Sequence, residues 1–171
     1  MSKAFTRESD EAGAEEVPYV PPQLPPGARN YITHDGADRL KQRLDALLEK
    51  KRALAAGGAQ AAASSEADRR RIESSIRKLQ QILDSVVVAG APADREKVAF
   101  GATVRIRRGD GEEDSYQIVG VEEADPENGR ISWISPLARA LLSRREGDKV
   151  RFRSPTGEEE LTVLTVRYAG Y

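Results

Sequence analysis

Cysteine is absent from this chain of 171 residues, and histidine occurs once, as His34. The first absence excludes disulfide staples, a thiolate zinc cluster and a cysteine nucleophile, and it fits a reducing compartment. The second leaves a single imidazole at an exposed first-turn position, which reads as solvated and makes no metal site. Aromatic residues are only 5% of the chain against 39% hydrophobic residues, enough for one ordinary core plus a projecting element. No apolar run approaches the roughly eighteen residues of a membrane span, and the N-terminus has no apolar leader, so the expected location is the cytoplasm. Charge of one sign is also missing: 27 basic and 28 acidic residues leave a formal charge of -1. No overall field draws the molecule to nucleic acid or anionic lipid, and any polyanion binding must be local.

What is present is organised around residues 31–89. Leu40, Leu44, Leu47 and Leu54 recur at helical spacing, and so do Ile72, Ile76, Leu79, Leu83 and Val86. Two heptad seams separated by Gly57 and Gly58 predict an antiparallel coiled-coil hairpin, because glycine breaks a helix and so short a break folds the second arm back on the first. Facing Leu40 with Val86 and Leu54 with Ile72 puts the turn near Ala63 and the tip at residues 57–68. Thr33 is placed to cap the first arm, with Asp35 and Asp38 at the positive end of its dipole. The second arm is expected to begin at Ser64 or Ser65, where Glu66 and Asp68 suit its first turn. Lys51 and Arg69 interrupt the two seams, so packing should loosen toward the tip.

Residues 1–30 carry five acidic and three basic side chains, with prolines at 18, 21, 22, 25 and 26. This composition predicts a disordered acidic, proline-rich tail, with Val17, Pro18, Tyr19 and Val20 as the stretch suited to a partner. Residues 90–171 change character after Gly90. Alternating stretches around Val104–Ile106, Tyr116–Val119 and Ile131–Trp133 are separated by Gly- and Pro-containing turns and read as antiparallel strands. Ser135 as cap, Pro136 at the first helical position, and Leu137 and Leu141 at helical spacing predict a short helix over residues 136–143. Two more strands, over 149–153 and 159–168, flank a turn at Ser154, Pro155, Thr156 and Gly157. The expected fold is α+β, a helical hairpin followed by a curved antiparallel sheet carrying one short helix.

Several of these stretches resemble the Gre family of bacterial transcript-cleavage factors. They are Tyr31-Ile32-Thr33-His34-Asp35-Gly36, Leu40-Lys41-Gln42-Arg43-Leu44, Phe100-Gly101-Ala102-Thr103-Val104, Tyr116-Gln117-Ile118-Val119-Gly120 and Ile134-Ser135-Pro136-Leu137-Ala138-Arg139-Ala140-Leu141-Leu142. The resemblance spans about residues 31–168. It implies a C-terminal domain of the fold seen in FK506-binding proteins that docks on RNA polymerase, and a coiled coil that enters the polymerase's secondary channel. It also implies Ile134, Ser135, Pro136, Leu137 and Arg139 as docking candidates.

Three departures from the family pattern shape the functional expectation. Cleavage-active members carry an acidic tip that helps hold a magnesium ion, whereas here only Glu66 and, by looser alignment, Asp68 remain, and hard cations want several oxygens. The hairpin is also shorter than the family's by roughly a dozen residues, on the order of 9 Å per arm at the helical rise, too short to reach the polymerase's metal. Ile134 stands where such members tend to have Asp, which either alters docking or simply ends a buried strand. The expectation is a monomeric, non-enzymatic regulator without a cofactor, acting by occupancy and meeting nucleic acid only through the transcription complex. The alternative is a cleavage factor in which Glu66 and Asp68 hold magnesium shared with the polymerase. A peptidyl-prolyl isomerase is the reading from another class, disfavoured because fold does not imply that activity and few aromatics are available for a proline pocket.

Overall fold

The hydroxyl of Thr33 accepts from the Gly36 amide at 3.0 Å, which satisfies one of the free donors at a helix start. From this cap the first helix runs out of a short strand. In this computed structural model, which describes residues 23–56, 62–154 and 157–169, strand β1 is Asn30–Ile32 and helix α1 is His34–Ala56. Helix α2, Ala62–Ser85, leads into strand β2, Val86–Val88. Ile72, Ile76 and Leu79 are buried along α2, while Leu40, Leu44, Leu47 and Leu54 on α1 and Leu83 on α2 are half-buried. A two-helix hairpin has one covered face, so this partial burial is what its geometry allows.

Four expectations for the hairpin are corrected. Val86 is not on the helical seam: it opens β2, which pairs in parallel with β1 in the register Asn30 to Val86, Tyr31 to Val87 and Ile32 to Val88. Three consecutive valines are stiff at Cβ and favour the extended chain over another helical turn. The turn is not centred on Ala63 and the second arm does not begin at Ser64 or Ser65, because α2 already includes Ala62; Glu66 and Asp68 therefore fall beyond its first turn, which holds no acid. Residues 57–61 lie outside the described residues, as do residues 1–22 of the expected tail. The facing register is also shifted. Lys51 meets Glu73, with Nζ to Oε1 at 3.0 Å, and the Arg69 guanidinium donates to the Leu54 carbonyl at 3.0 Å. The two cations that interrupt the seams thus tie the arms together by their polar ends. Lys51 holds the Glu73 carboxyl below its ordinary value.

Beyond the hairpin come β3 (Ala102–Arg107), β4 (Glu113–Val119), two 3-10 turns (Val121–Glu123 and Pro126–Asn128), β5 (Arg130–Ser132), helix α3 (Pro136–Leu141), β6 (Lys149–Ser154) and β7 (Gly157–Tyr168). The five strands form one sheet in the order β5-β4-β3-β7-β6. Along β3, Ala102, Val104 and Ile106 are buried while Arg105 and Arg107 are exposed, the period-two signature of a sheet with one wet face. The register slips between Arg105 and Ile106 against β7, and such a bulge bends and twists the sheet. Into the concave face pack Ala138 and Leu141 of α3 with Ile118, Val150, Leu161 and Val163. The fold is α+β. One pairing departs from the expected antiparallel set: β5 runs parallel to β4, with Ile118 beside Ile131, because the two 3-10 turns carry the chain back to start β5 at the same end as β4.

Candidate functional site

Three regions bear on function: the hairpin tip, the short helix α3, and the joint where hairpin meets sheet. At the tip, Glu66 and Asp68 lie on α2. Positions two apart on a helix are about 200° apart around its axis and do not face each other. Glu66 is already engaged, its carboxylate paired with Arg70 one turn along. Three consecutive arginines, Arg69, Arg70 and Arg71, follow directly, and residues 57–61 contain no acid. Among the described residues no group of three or more His, Asp or Glu side chains is placed to hold a metal ion. The donor set does not fit magnesium: two carboxylates on opposite sides of one helix cannot converge on an ion that wants near-octahedral oxygens.

Helix α3 begins as its residues dictate. Ser135 has an extended backbone and its hydroxyl accepts from the Ala138 amide at 3.2 Å, with Pro136 in the first turn. Pro136 and Arg139 are exposed and Leu137 is half-buried, so these three can meet a partner. Ile134 cannot do so as placed. It is 6% exposed, follows the end of β5 and turns inward, because an isoleucine at this corner gains by joining the core. The Ser135 hydroxyl is likewise committed to the cap.

The joint was not anticipated from the sequence. Its centre is Glu123, whose side chain is only 2% exposed. One carboxylate oxygen accepts from the Thr33 amide at 2.8 Å and from the Gly120 amide at 3.1 Å. The other accepts from the Thr33 hydroxyl and from the Arg39 guanidinium, the latter at 3.3 Å. Four donors from the start of α1 and the end of β4 thus surround one buried charge, which is the condition for burying it at all. The backbone is trimmed to allow the approach. A Cβ on Gly36 would come within 2.0 Å of the Glu123 carboxylate, and one on Gly120 within 2.2 Å of the Tyr31 carbonyl oxygen. Tyr31 completes the joint, its ring 5.9 Å from that of Phe100 and edge-on to Trp133 at 6.0 Å. Beside it opens a groove of about 520 Å3 lined by Arg39, Leu40, Arg43, Glu122, Asp125 and Arg130 among others. The available signal was a pair of glycines, Gly36 and Gly120, each of which lies where a Cβ would strike the other half of the chain.

A helical hairpin fixed by a buried joint to a curved sheet domain, with a capped helix at the domain's surface, defines a two-part architecture in which one part is held out by the other. Residues 92–168 match the family described as "Transcription elongation factor, GreA/GreB, C-term". The chain is 41% identical over 155 residues to "Transcription elongation factor GreB" of Neisseria meningitidis serogroup A, a match covering 82% of this chain and 94% of the relative. It is 34% identical over 150 residues to "Transcription elongation factor GreA" of Geobacillus kaustophilus, covering 80% of this chain and 95% of that one. This chain belongs to the GreA/GreB family of transcription elongation factors. Among solved structures, GreA factor homolog 1 of Thermus thermophilus is 25% identical over 82% of this chain and 99% of its own, with a TM-score of 0.39, too low for an argument from its shape.

Proposed function

We propose that this protein binds RNA polymerase at the secondary channel through its C-terminal domain and regulates elongation by placing the hairpin there, without supplying catalytic groups. Membership of an elongation-factor family supports the setting. The observation that carries the mechanism is the tip, where Glu66 and Asp68 sit two apart on α2 and Glu66 is paired with Arg70. Carboxylates so arranged do not present a joint ligand set, and a hairpin without one acts by its shape and charge. In this reading the protein works as a cytoplasmic monomer, brings no cofactor of its own, and meets nucleic acid only inside the transcription complex.

The test uses backtracked elongation complexes. Wild-type protein should give no RNA cleavage above the polymerase's intrinsic rate, yet displace a cleavage-active GreB-type factor. The Glu66→Ala, Asp68→Ala variant should displace it nearly as well, losing only one exposed ion pair, within about 1 kcal/mol. Removing one facing heptad, residues 48–54 with 70–76 in the register set by Lys51 and Glu73, should abolish the effect on elongation while leaving polymerase binding in place. Stimulated cleavage by the wild type that disappears in the double variant would establish the catalytic alternative instead.

A further inference from the structure

The proposed function needs the hairpin to point in one direction once the C-terminal domain has docked, and very little covalent structure enforces that direction. The chain crosses from β2 to β3 through residues 89–101, which include Gly90, Pro92 and Gly101. Two short strands and such a connection leave an angle to be set by side chains, and relative motion is the default for parts joined in this way. One carboxylate bonds to both parts at the point where they meet. We infer that Glu123 is a positioning residue that locks the angle of the hairpin on the C-terminal domain, with Thr33 as its counterpart on the hairpin.

Four observations converge on this assignment. The carboxylate takes the Thr33 amide and hydroxyl and the Arg39 guanidinium from the hairpin side, and the Gly120 amide from the domain side. Two oxygens held by donors from two bodies fix both distance and rotation, which a single contact would not. Gly36 and Gly120 leave no slack, since a Cβ at either would collide with the joint. Thr33 serves twice, capping α1 through Gly36 and donating to Glu123, so the helix axis is referenced directly to the carboxylate. The Tyr31 ring, lodged between Phe100 and Trp133, blocks the remaining sideways tilt. A buried charge of this kind is a poor source of net stability but a demanding one in geometry, because any tilt that strips a donor leaves an uncompensated carboxylate.

The absence of cysteine makes the experiment direct, because only introduced thiols take a spin label. Labels at Ala53→Cys on the exposed side of α1 and Arg151→Cys on exposed β6 report the angle as a distance distribution in the free full-length protein. The otherwise unchanged chain should give a single narrow distribution. Glu123→Ala should broaden it about twofold or more, and Thr33→Val, which leaves the sheet domain untouched, should broaden it in the same sense. Glu123→Gln, which keeps an oxygen for the Thr33 and Gly120 amides, should return the distribution to most of its original narrowness. Where Glu123→Ala proves unfolded by circular dichroism, Thr33→Val decides. Unchanged width in Thr33→Val, or in folded Glu123→Ala, overturns the inference. The consequence for transcription rests on the proposed function and is read separately: polymerase affinity should stay within about threefold while the effect on elongation falls at least tenfold. Failure of the wild type to bind polymerase would remove that reading and leave the distance result standing.

Discussion

Asp125 shows how a single half-buried side chain fixes a turn. Its carboxylate accepts from the Asn128 amide group at 2.8 Å and from the Arg130 guanidinium at 2.7 Å, and its backbone exchanges both hydrogen bonds with Arg130. The Asn128 and Arg130 hydrogen bonds hold the Asp125 carboxyl below its ordinary value. Glu73, Asp94 and Glu113 are held low in the same way by Lys51, the Glu96 amide and Arg107 respectively. A carboxylate depressed in the folded state contributes stability above its unfolded value, about 4 for Asp, and that contribution drains away as pH falls through and below it. The melting temperature should therefore be flat near neutrality and fall below about pH 4. Asp125→Asn should have a shallower acid limb, and salt should narrow the difference because the Asp125 carboxylate is still reached by solvent. An identical acid limb in the variant would show that the turn draws nothing from this charge. The sequence made such local roles partly visible. Ser135 before Pro136 reads as a cap without any tertiary information, whereas Glu123, inside an acid-rich stretch from Glu122 to Glu127, looks like solvated loop and is instead the most buried charge described. Its partners lie in β1 and α1, and nothing in its neighbours announces them.

At the scale of elements, periodicity decided what could be read. The two helices have seams long enough to count, and β3 alternates over six residues, so both were legible. Strands β1, β2 and β5 have three residues each, too few for a period to register, and their pairings are parallel, which no local turn signal encodes. The hairpin register was legible only approximately, because apolar spacing says which residues face inward, while Lys51 and Arg69 settle which residues face each other. Helix α3 offers a test of element-level reasoning. It spans six residues, so its cap is a large share of what holds it. Ser135→Ala should lower stability by about 1 kcal/mol in urea unfolding, because the Ala138 amide loses its acceptor. If α3 carries the docking surface, polymerase affinity should fall by more than this loss alone produces. Stability unchanged in the variant would mean that Ala138 finds water as readily as the hydroxyl.

For the molecule as a whole, the parallel pairing of β1 with β2 fixes an order of events in time. Asn30 cannot find Val86 until both helices have been synthesised, and Thr33 cannot find Glu123 until the chain has extended by a further 37 residues, the joint contacts spanning 90 positions against 56 for the strand pair. Helical pairing is local and fast, on the order of microseconds, whereas distant contacts wait on loop closure and on a sheet in which β3 must also pair with β7. During synthesis the hairpin should therefore exist as a finished but unaimed arm, acquiring its direction only when the sheet domain closes beneath it. Trp133 is the chain's single tryptophan and sits against Tyr31 at the joint, so its fluorescence reports that last event while far-ultraviolet dichroism reports the helices. In refolding from urea the dichroism signal should lead and the tryptophan signal follow. Coincident traces would mean that arm and joint form together, and that the arm has no independent life before it is aimed.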